Sequence, residues 1–302
     1  MNRHPWAVLG RACRSWTSLG WACLGILYGC VSSPTPLAPG LSGSIGVPHH
    51  GMLTVASELP DNGTGFRRFR RYGEYNWGHP RLVAALQRAA ATVDRAFPGG
   101  APLVIGDLSA RYGGKIPRHN SHRTGRDVDL LWYVTTPAGA PVASPGFVRL
   151  GSDGLAPIEP TGEYVRIDLE RQWLLIKTLL NDDTARVQLM LCSREVEALL
   201  IDYARARGEP DRIVWQAETV LMEPGDSLPH DDHIHLRIAC TPEEAVAGCE
   251  GGGPYWEWLP ALPTLNDPSW LKELAREAPP VDDGPLYDAS QKQQGQKLSS
   301  AL

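Results

Sequence analysis

Three histidines fall within six residues, His230, His233 and His235 in PHDDHIHLRI. Read as a β-strand over 232–238, the segment turns His233, His235 and Arg237 to one face and Ile234, Leu236 and Ile238 to the other. One face is then core and the other chemistry. Two imidazoles on one strand do not complete a catalytic metal site, which normally takes three protein ligands and leaves one position to water. The partners with suitable chemistry lie in SHRTGRDVDLLWYV, where a turn at Gly125 and the start of a strand separate His122 from Asp129. His122, Asp129 and one strand histidine make a set of two imidazoles and one carboxylate suited to Zn2+. Such a site activates water near neutral pH and polarises a carbonyl, the basis of metal-assisted amide hydrolysis. His235 is the expected ligand and His233 the expected general base, with His230 acting on a developing oxyanion or sharing the proton transfer. Asp231 and Asp232 are natural acceptors for imidazole N–H groups, fixing ring orientation. A lone histidine is more often an ordinary surface or core side chain. Five of them, counting His119, in two clusters with strand-compatible spacing are a different matter.

The elements that must position these residues are readable from periodicity. Pro80 suits a first helical turn, and Leu82, Val83, Leu86, Ala90, Val93 and Phe97 recur at helical spacing until Pro98-Gly99-Gly100 ends the run. Asp168 is placed to cap a helix reaching Leu180, and Ser193 one ending at Gly208. Strands are expected at 103–105, 127–134, 187–191, 212–217 and 232–238. In 127–134, Val128, Leu130 and Trp132 share one face while Asp127, Asp129 and Leu131 share the other. Residues 135–161, rich in Pro, Gly and Ala, read as a long surface insertion walling a cleft. GTGFRRFRRYGEYNWGH reads as a solvated loop on the substrate side. The expected fold is α+β: one domain over 62–262 with a small, largely antiparallel sheet flanked by helices.

Composition narrows the classes. With 302 residues, 42% hydrophobic, 21% charged and a formal net charge of -5, the chain is of ordinary globular type and offers nothing like a nucleic-acid-binding surface. Arg3, Arg11 and Arg14 precede a short apolar run over 16–29, the pattern of an export signal over 1–29. Leu27-Tyr28-Gly29-Cys30 resembles a bacterial lipobox, which makes Cys30 a lipidation site and 31–61 a flexible tether. Export in turn makes a Cys240–Cys249 disulfide expected, while Cys192 reads as a buried free thiol. Residues 263–302 read as a short helix around 270–276 and a polar tail.

The same residues carry a resemblance to a family. SHRTGRDVD fits the HxxxxxxD element and HDDHIH the HxH element of the lysostaphin-type and D-Ala-D-Ala metallopeptidase superfamily. Within it, YNWGHPRLVAALQRAA, LVIGDLSARYGGKIPRHNSHRTGRDVDL and PGDSLPHDDHIHLRIACTPEEAVAGCEGGGP resemble the penicillin-insensitive murein endopeptidases, over roughly 65–254. The resemblance implies one Zn2+ per chain on His122, Asp129 and His235, with His233 and His230 catalytic. His119 resembles a position that helps hold a second metal; its further partners would be Asp168 and the place taken by Arg171, and an arginine cannot ligate. The implied activity is hydrolysis of the D-alanyl-meso-diaminopimelyl cross-links of peptidoglycan; the N-terminal segment points independently to a periplasmic lipoprotein anchored to the outer membrane. A D-Ala-D-Ala carboxypeptidase, or a zinc-retaining murein-binding lipoprotein without turnover, are the alternatives.

Overall fold

In a computed structural model, residues 43–225 and 227–263 are described. The export segment, Cys30 and the helix expected around 270–276 lie outside them. The chain opens with β1 (Ser44–Val47), β2 (His50–Leu53), β3 (Ser57–Glu58), β4 (Asn62–Gly63), β5 (Phe66–Arg68) and β6 (Trp77–Gly78). Helix α1 (Pro80–Ala96) follows, with His79 Nδ1 accepting a hydrogen bond from the Arg81 N–H at 3.2 Å. Its buried face is Leu82, Val83, Leu86, Ala90 and Val93, and each large apolar side chain contributes about 1.5–3 kcal/mol by leaving water. Next come β7 (Leu103–Ile105), β8 (Asp127–Leu131), β9 (Val134–Thr135), β10 (Pro141–Val142), β11 (Leu155–Ile158) and β12 (Glu163–Ile167). The remainder is α2 (Leu169–Leu180), β13 (Val187–Leu191), α3 (Arg194–Ala206), α4 (Asp211–Val220), β14 (Leu221–Met222), β15 (His233–Ile238) and α5 (Pro242–Val246). Asp168 caps α2 by accepting from Arg171 N at 3.0 Å, and Ser193 caps α3 through Val196 N.

The main sheet has seven strands in the order β14-β13-β15-β8-β7-β5-β4. Its β13/β14 and β5/β7 pairs are parallel and the others antiparallel. This is the α+β architecture expected, a largely antiparallel sheet flanked by helices. Val128 and Leu130 of β8 and Ile234, Leu236 and Ile238 of β15 join one core cluster with buried residues of α1 to α4. The alternation along β8 and β15 therefore sends their polar residues to the other face.

Four expectations change on folding. The 212–217 run, rich in β-branched residues, lies in helix α4, because Ile213, Val214, Ala217 and Val220 bury one helical stripe behind Pro210. Residues 44–59, read as part of a tether, are packed into the domain: Leu53 and Leu59 are buried, and Arg126 Nε donates to Ser44 Oγ at 2.9 Å. Their Pro and Gly content serves tight turns instead of flexibility. Phe66–Arg68, read as solvated loop, is a sheet strand, with buried Arg68 bonded to Asp61 and to the Gly73 carbonyl. The 135–161 insertion contributes to a second, antiparallel sheet ordered β10-β9-β12-β11. Cys240 and Cys249 are joined at 2.08 Å just beyond β15, and the Gly46 N–H donates to the Gly248 carbonyl at 2.7 Å, tying this loop to the β1–β2 hairpin.

Candidate metal centre

Strand pairing assembles the site. In the antiparallel β8/β15 pair, His235 stands opposite Asp129, His233 opposite Leu131 and Arg237 opposite Asp127. Cross-strand neighbours of this kind have Cβ atoms roughly 4.5–5.5 Å apart, close enough for shared ligation. His122 enters from the loop between β7 and β8, fully buried, with φ +64. That left-handed backbone costs a non-glycine residue about 1–3 kcal/mol and recurs where function fixes a side chain. Gly106 leaves room beside the carboxylate, since a Cβ there would lie 3.0 Å from Asp129 Cβ.

His122 Nε2 is 3.2 Å from His235 Nδ1, and these atoms lie 3.3 and 3.4 Å from Asp129 Oδ1. On the far side of each ring an acceptor sets the tautomer: Leu108 O is 2.6 Å from His122 Nδ1, and Asp127 Oδ1 is 2.9 Å from His235 Nε2. In the neutral rings the two nitrogens facing each other therefore carry lone pairs. Two lone pairs and a carboxylate oxygen in contact repel unless a proton or a cation sits among them. Asp129 Oδ1 is also buried without a hydrogen-bond partner, an arrangement that costs a charged group several kcal/mol. Tetrahedral metal ligands at about 2.0–2.1 Å stand about 3.3–3.4 Å from one another, so these three atoms fit a small divalent cation. A looser grouping of His119, His122 and Asp129 holds its ligand atoms within 4.8 Å. The triangle through His235 is tighter and has nearly equal edges, and it is the stronger candidate; His119 Nδ1 stands 3.8 Å from Asp129 Oδ2 beside it.

The surrounding charges are strongly coupled. Burial pushes the Asp127 carboxyl up, but Arg237 at 2.6 Å and His235 outweigh it and hold the group far below the usual carboxylate range. Asp129 is likewise held low: burial is outweighed by His122 and His233. Burial would lower His233, yet Asp129, 3.4 Å from Nε2, and Asp232, 2.5 Å from Nδ1, raise it to about 10. Burial and the neighbouring His233 and His235 lower His230 to about 4, and its Nδ1 is buried without a partner. His230 is therefore a neutral imidazole at neutral pH. Phe147 meets the His233 ring edge-on at 5.3 Å, so the 144–150 segment walls the site on that side.

Two sequence expectations do not hold here. Asp231 takes no histidine: its nearest ionic partner is Arg149 at 3.9 Å, and its carbonyl accepts from Trp132 Nε1 and Leu150 N. Asp168 is occupied as the α2 cap and by Arg171 Nε at 2.7 Å, so it does not join His119 in a second metal site. Asp127 and Asp107 escaped the sequence reading. Asp127 was findable, because it lies two residues before Asp129 and so on the same strand face. Asp107, 3.2 Å from His119 Nε2, is brought in only by the β7–β8 connection. We expect Asp127→Asn to weaken metal affinity about 10- to 100-fold with the fold intact, measured by competition against a chromogenic chelator. Wild-type affinity in that variant would remove Asp127 from the site.

Residues 44–144 match the family model described as penicillin-insensitive murein endopeptidase, a stretch that holds His119, His122 and Asp129. The chain is 26% identical over 233 residues to the penicillin-insensitive murein endopeptidase of Haemophilus influenzae, covering 74% of this chain and 72% of that protein. It is 36% identical over 93 residues to the Klebsiella pneumoniae protein of that name and 34% over 98 residues to an Escherichia coli one. Over these stretches the chain is similar to penicillin-insensitive murein endopeptidases. The last two matches span 33% and 35% of those relatives. His230, His233 and His235 lie beyond the 44–144 match, and β8/β15 pairing is what joins His233 and His235 to it.

Proposed function

We propose that this chain is a zinc-dependent murein endopeptidase that hydrolyses the amide between D-alanine and meso-diaminopimelate in peptidoglycan cross-links. The observation that carries the reading is Asp129 Oδ1, buried and unpartnered, within 3.4 Å of imidazole nitrogens of His122, His235 and His233. His122, Asp129 and His235 would hold the metal. Zinc supplies Lewis acidity there, polarising the scissile carbonyl and making water nucleophilic near neutral pH. With Asp129 given to the metal, its carboxylate would no longer hold a proton on His233; Asp232 anchors Nδ1, and Nε2, turned to the site, would take a proton from the attacking water and return it to the departing amine. His230, kept neutral, can donate a hydrogen bond to the carbonyl oxygen as negative charge develops.

The reading includes export and a lipid on Cys30, tethering the domain to the outer membrane. Among the described residues, no helix is long and apolar enough to cross a membrane. Metal analysis of the purified protein, with mass analysis of digested murein, tests the activity. One zinc per chain and conversion of cross-linked dimers to monomers are expected. Trimming of free pentapeptides alone would replace the endopeptidase reading with a carboxypeptidase, and metal-loaded protein without turnover would replace it with a binding protein. The mass of the mature N-terminus tests the anchor, which an unmodified Cys30 would exclude.

A further inference from the structure

We propose that Arg70 receives a substrate carboxylate, so that the site selects peptides whose amine-side residue bears a free carboxylate next to the scissile amide nitrogen. This rests on the endopeptidase reading above. The histidine cluster reaches the surface along one line of side chains. Asp129 Oδ2 lies 3.8 Å from His119 Nδ1, His119 Nε2 lies 3.2 Å from Asp107 Oδ2, and Asp107 Oδ2 lies 2.5 Å from Arg70 Nη1. Side-chain exposure along that line is 3% at Asp129, 16% at His119, 9% at Asp107 and 36% at Arg70, so Arg70 is where it meets solvent.

The other arginines of the FRRFRR run differ from Arg70 in their engagement. Arg68 is buried and bonded to Asp61 and the Gly73 carbonyl, while Arg67 reaches the Ser144 carbonyl at 3.1 Å. Arg70 spends Nη1 on Asp107, and among the described residues no other side-chain acceptor takes its remaining N–H groups. A guanidinium is a planar fork of five donors, which leaves a free edge of the shape that a carboxylate fills with two hydrogen bonds. The guanidinium lies 5.8 Å from the centroid of Phe69, Phe69 packs on Phe147 at 5.3 Å, and Phe147 packs on His233 at 5.3 Å. Arg70 thus belongs to the same wall as the histidine assigned the proton transfers.

Charge along the lip points the same way. The loop from Leu108 to Arg126, which carries His119 and His122, has no acidic residue and exposes Arg111, Lys115 and Arg118. The resulting positive field favours an anionic ligand. In a cross-link to diaminopimelate, the amide nitrogen is attached to a carbon that also bears a carboxylate. That group lies a few bonds from the bond being cut, and Arg70 lies two side chains from Asp129.

The test compares zinc-loaded wild type, Arg70→Gln and Arg70→Lys on two cross-linked muropeptides that differ only in a free or amidated carboxylate at the amine-side diaminopimelate. We expect wild type to prefer the free carboxylate about 10- to 100-fold in kcat/KM, mostly through KM. Arg70→Gln should bring the ratio close to one, and Arg70→Lys, which keeps charge without the fork, should fall between. If Arg70 only braces Asp107, both substrates lose kcat together and the wild-type ratio persists, which overturns the assignment. Equal use of the two substrates by wild type overturns it as well while leaving the endopeptidase reading intact. Cleavage of neither substrate by zinc-loaded wild type removes that reading and this one with it.

Discussion

His122→Ala and His235→Ala are each expected to lower kcat/KM for murein cross-link hydrolysis about a thousandfold or more, with circular dichroism unchanged. Removing the metal from wild type should do the same, and restoring it should recover the activity. The reason is geometric: with either ring gone, only two of the three ligand atoms, Asp129 Oδ1 and one imidazole nitrogen, remain, and a catalytic zinc needs three protein ligands. Proton competition adds a pH signature. In the metal-free protein, burial lowers His233 and His235, but the Asp129, Asp232 and Asp127 carboxylates outweigh it and raise both. His233 is then protonated at neutral pH, His235 holds its proton more tightly than a free imidazole does, and metal binding must compete with that proton. Apparent affinity should rise about tenfold per pH unit for each proton displaced, measured by chelator competition between pH 6 and 8. Cleavage that survives thorough chelation would eliminate the metal from the reaction.

The second large effect concerns stability. Arg81 grips Glu244 with two bonds, Nε to Oε1 at 2.9 Å and Nη2 to Oε2 at 2.7 Å, and Nη2 also donates to the Ala239 carbonyl at 2.8 Å. Glu244 is buried, holds the Thr241 N–H in the capping box of α5, and lies 3.0 Å from His79 Nε2. The pair thereby fastens α1 to the disulfide loop after β15. Arg81→Ala leaves a buried carboxylate short of its partner and is expected to cost about 3–5 kcal/mol in denaturant unfolding. The sign of the pH dependence follows from Glu244. Burial raises its pKa, but His79 and Arg81 outweigh burial and hold it well below the ordinary value. A group depressed on folding stabilises the native state above its unfolded pKa, about 4.3, and loses that contribution as pH falls toward the folded value. Wild type should therefore weaken below about pH 4, and Arg81→Ala should weaken less steeply there. An identical acid slope in the two proteins would refute the ion-pair account.

Much of the site's chemistry is local and is therefore written in the chain. Alternation alone sets His233, His235 and Arg237 against Ile234, Leu236 and Ile238, and it sets Asp127 and Asp129 against Val128 and Leu130, because a strand's side chains change face at every residue. Caps at Asp168 and Ser193 and the Pro80 helix start are equally local, each being one side chain or ring acting on the next turn. Where a local rule met a long-range demand, the demand decided. The 212–217 run has the β-branched composition of a strand, yet its burial stripe suits the helical layer, and packing outweighs propensities worth at most about 1 kcal/mol per residue. Residues 44–59 look like a linker until Leu53 and Leu59 find a core to enter.

Several finer partner choices lay beyond the sequence. That Asp232 and not Asp231 holds His233, that Asp127 orients His235, and that Asp168 goes to Arg171 and away from His119 are outcomes of which backbones lie adjacent. The sequence by itself determined which residue types were available and which face of a strand each would occupy. Tertiary structure decided which of those faces meet, because the register of β8 against β15 joins residues more than a hundred positions apart, and no local periodicity encodes that pairing.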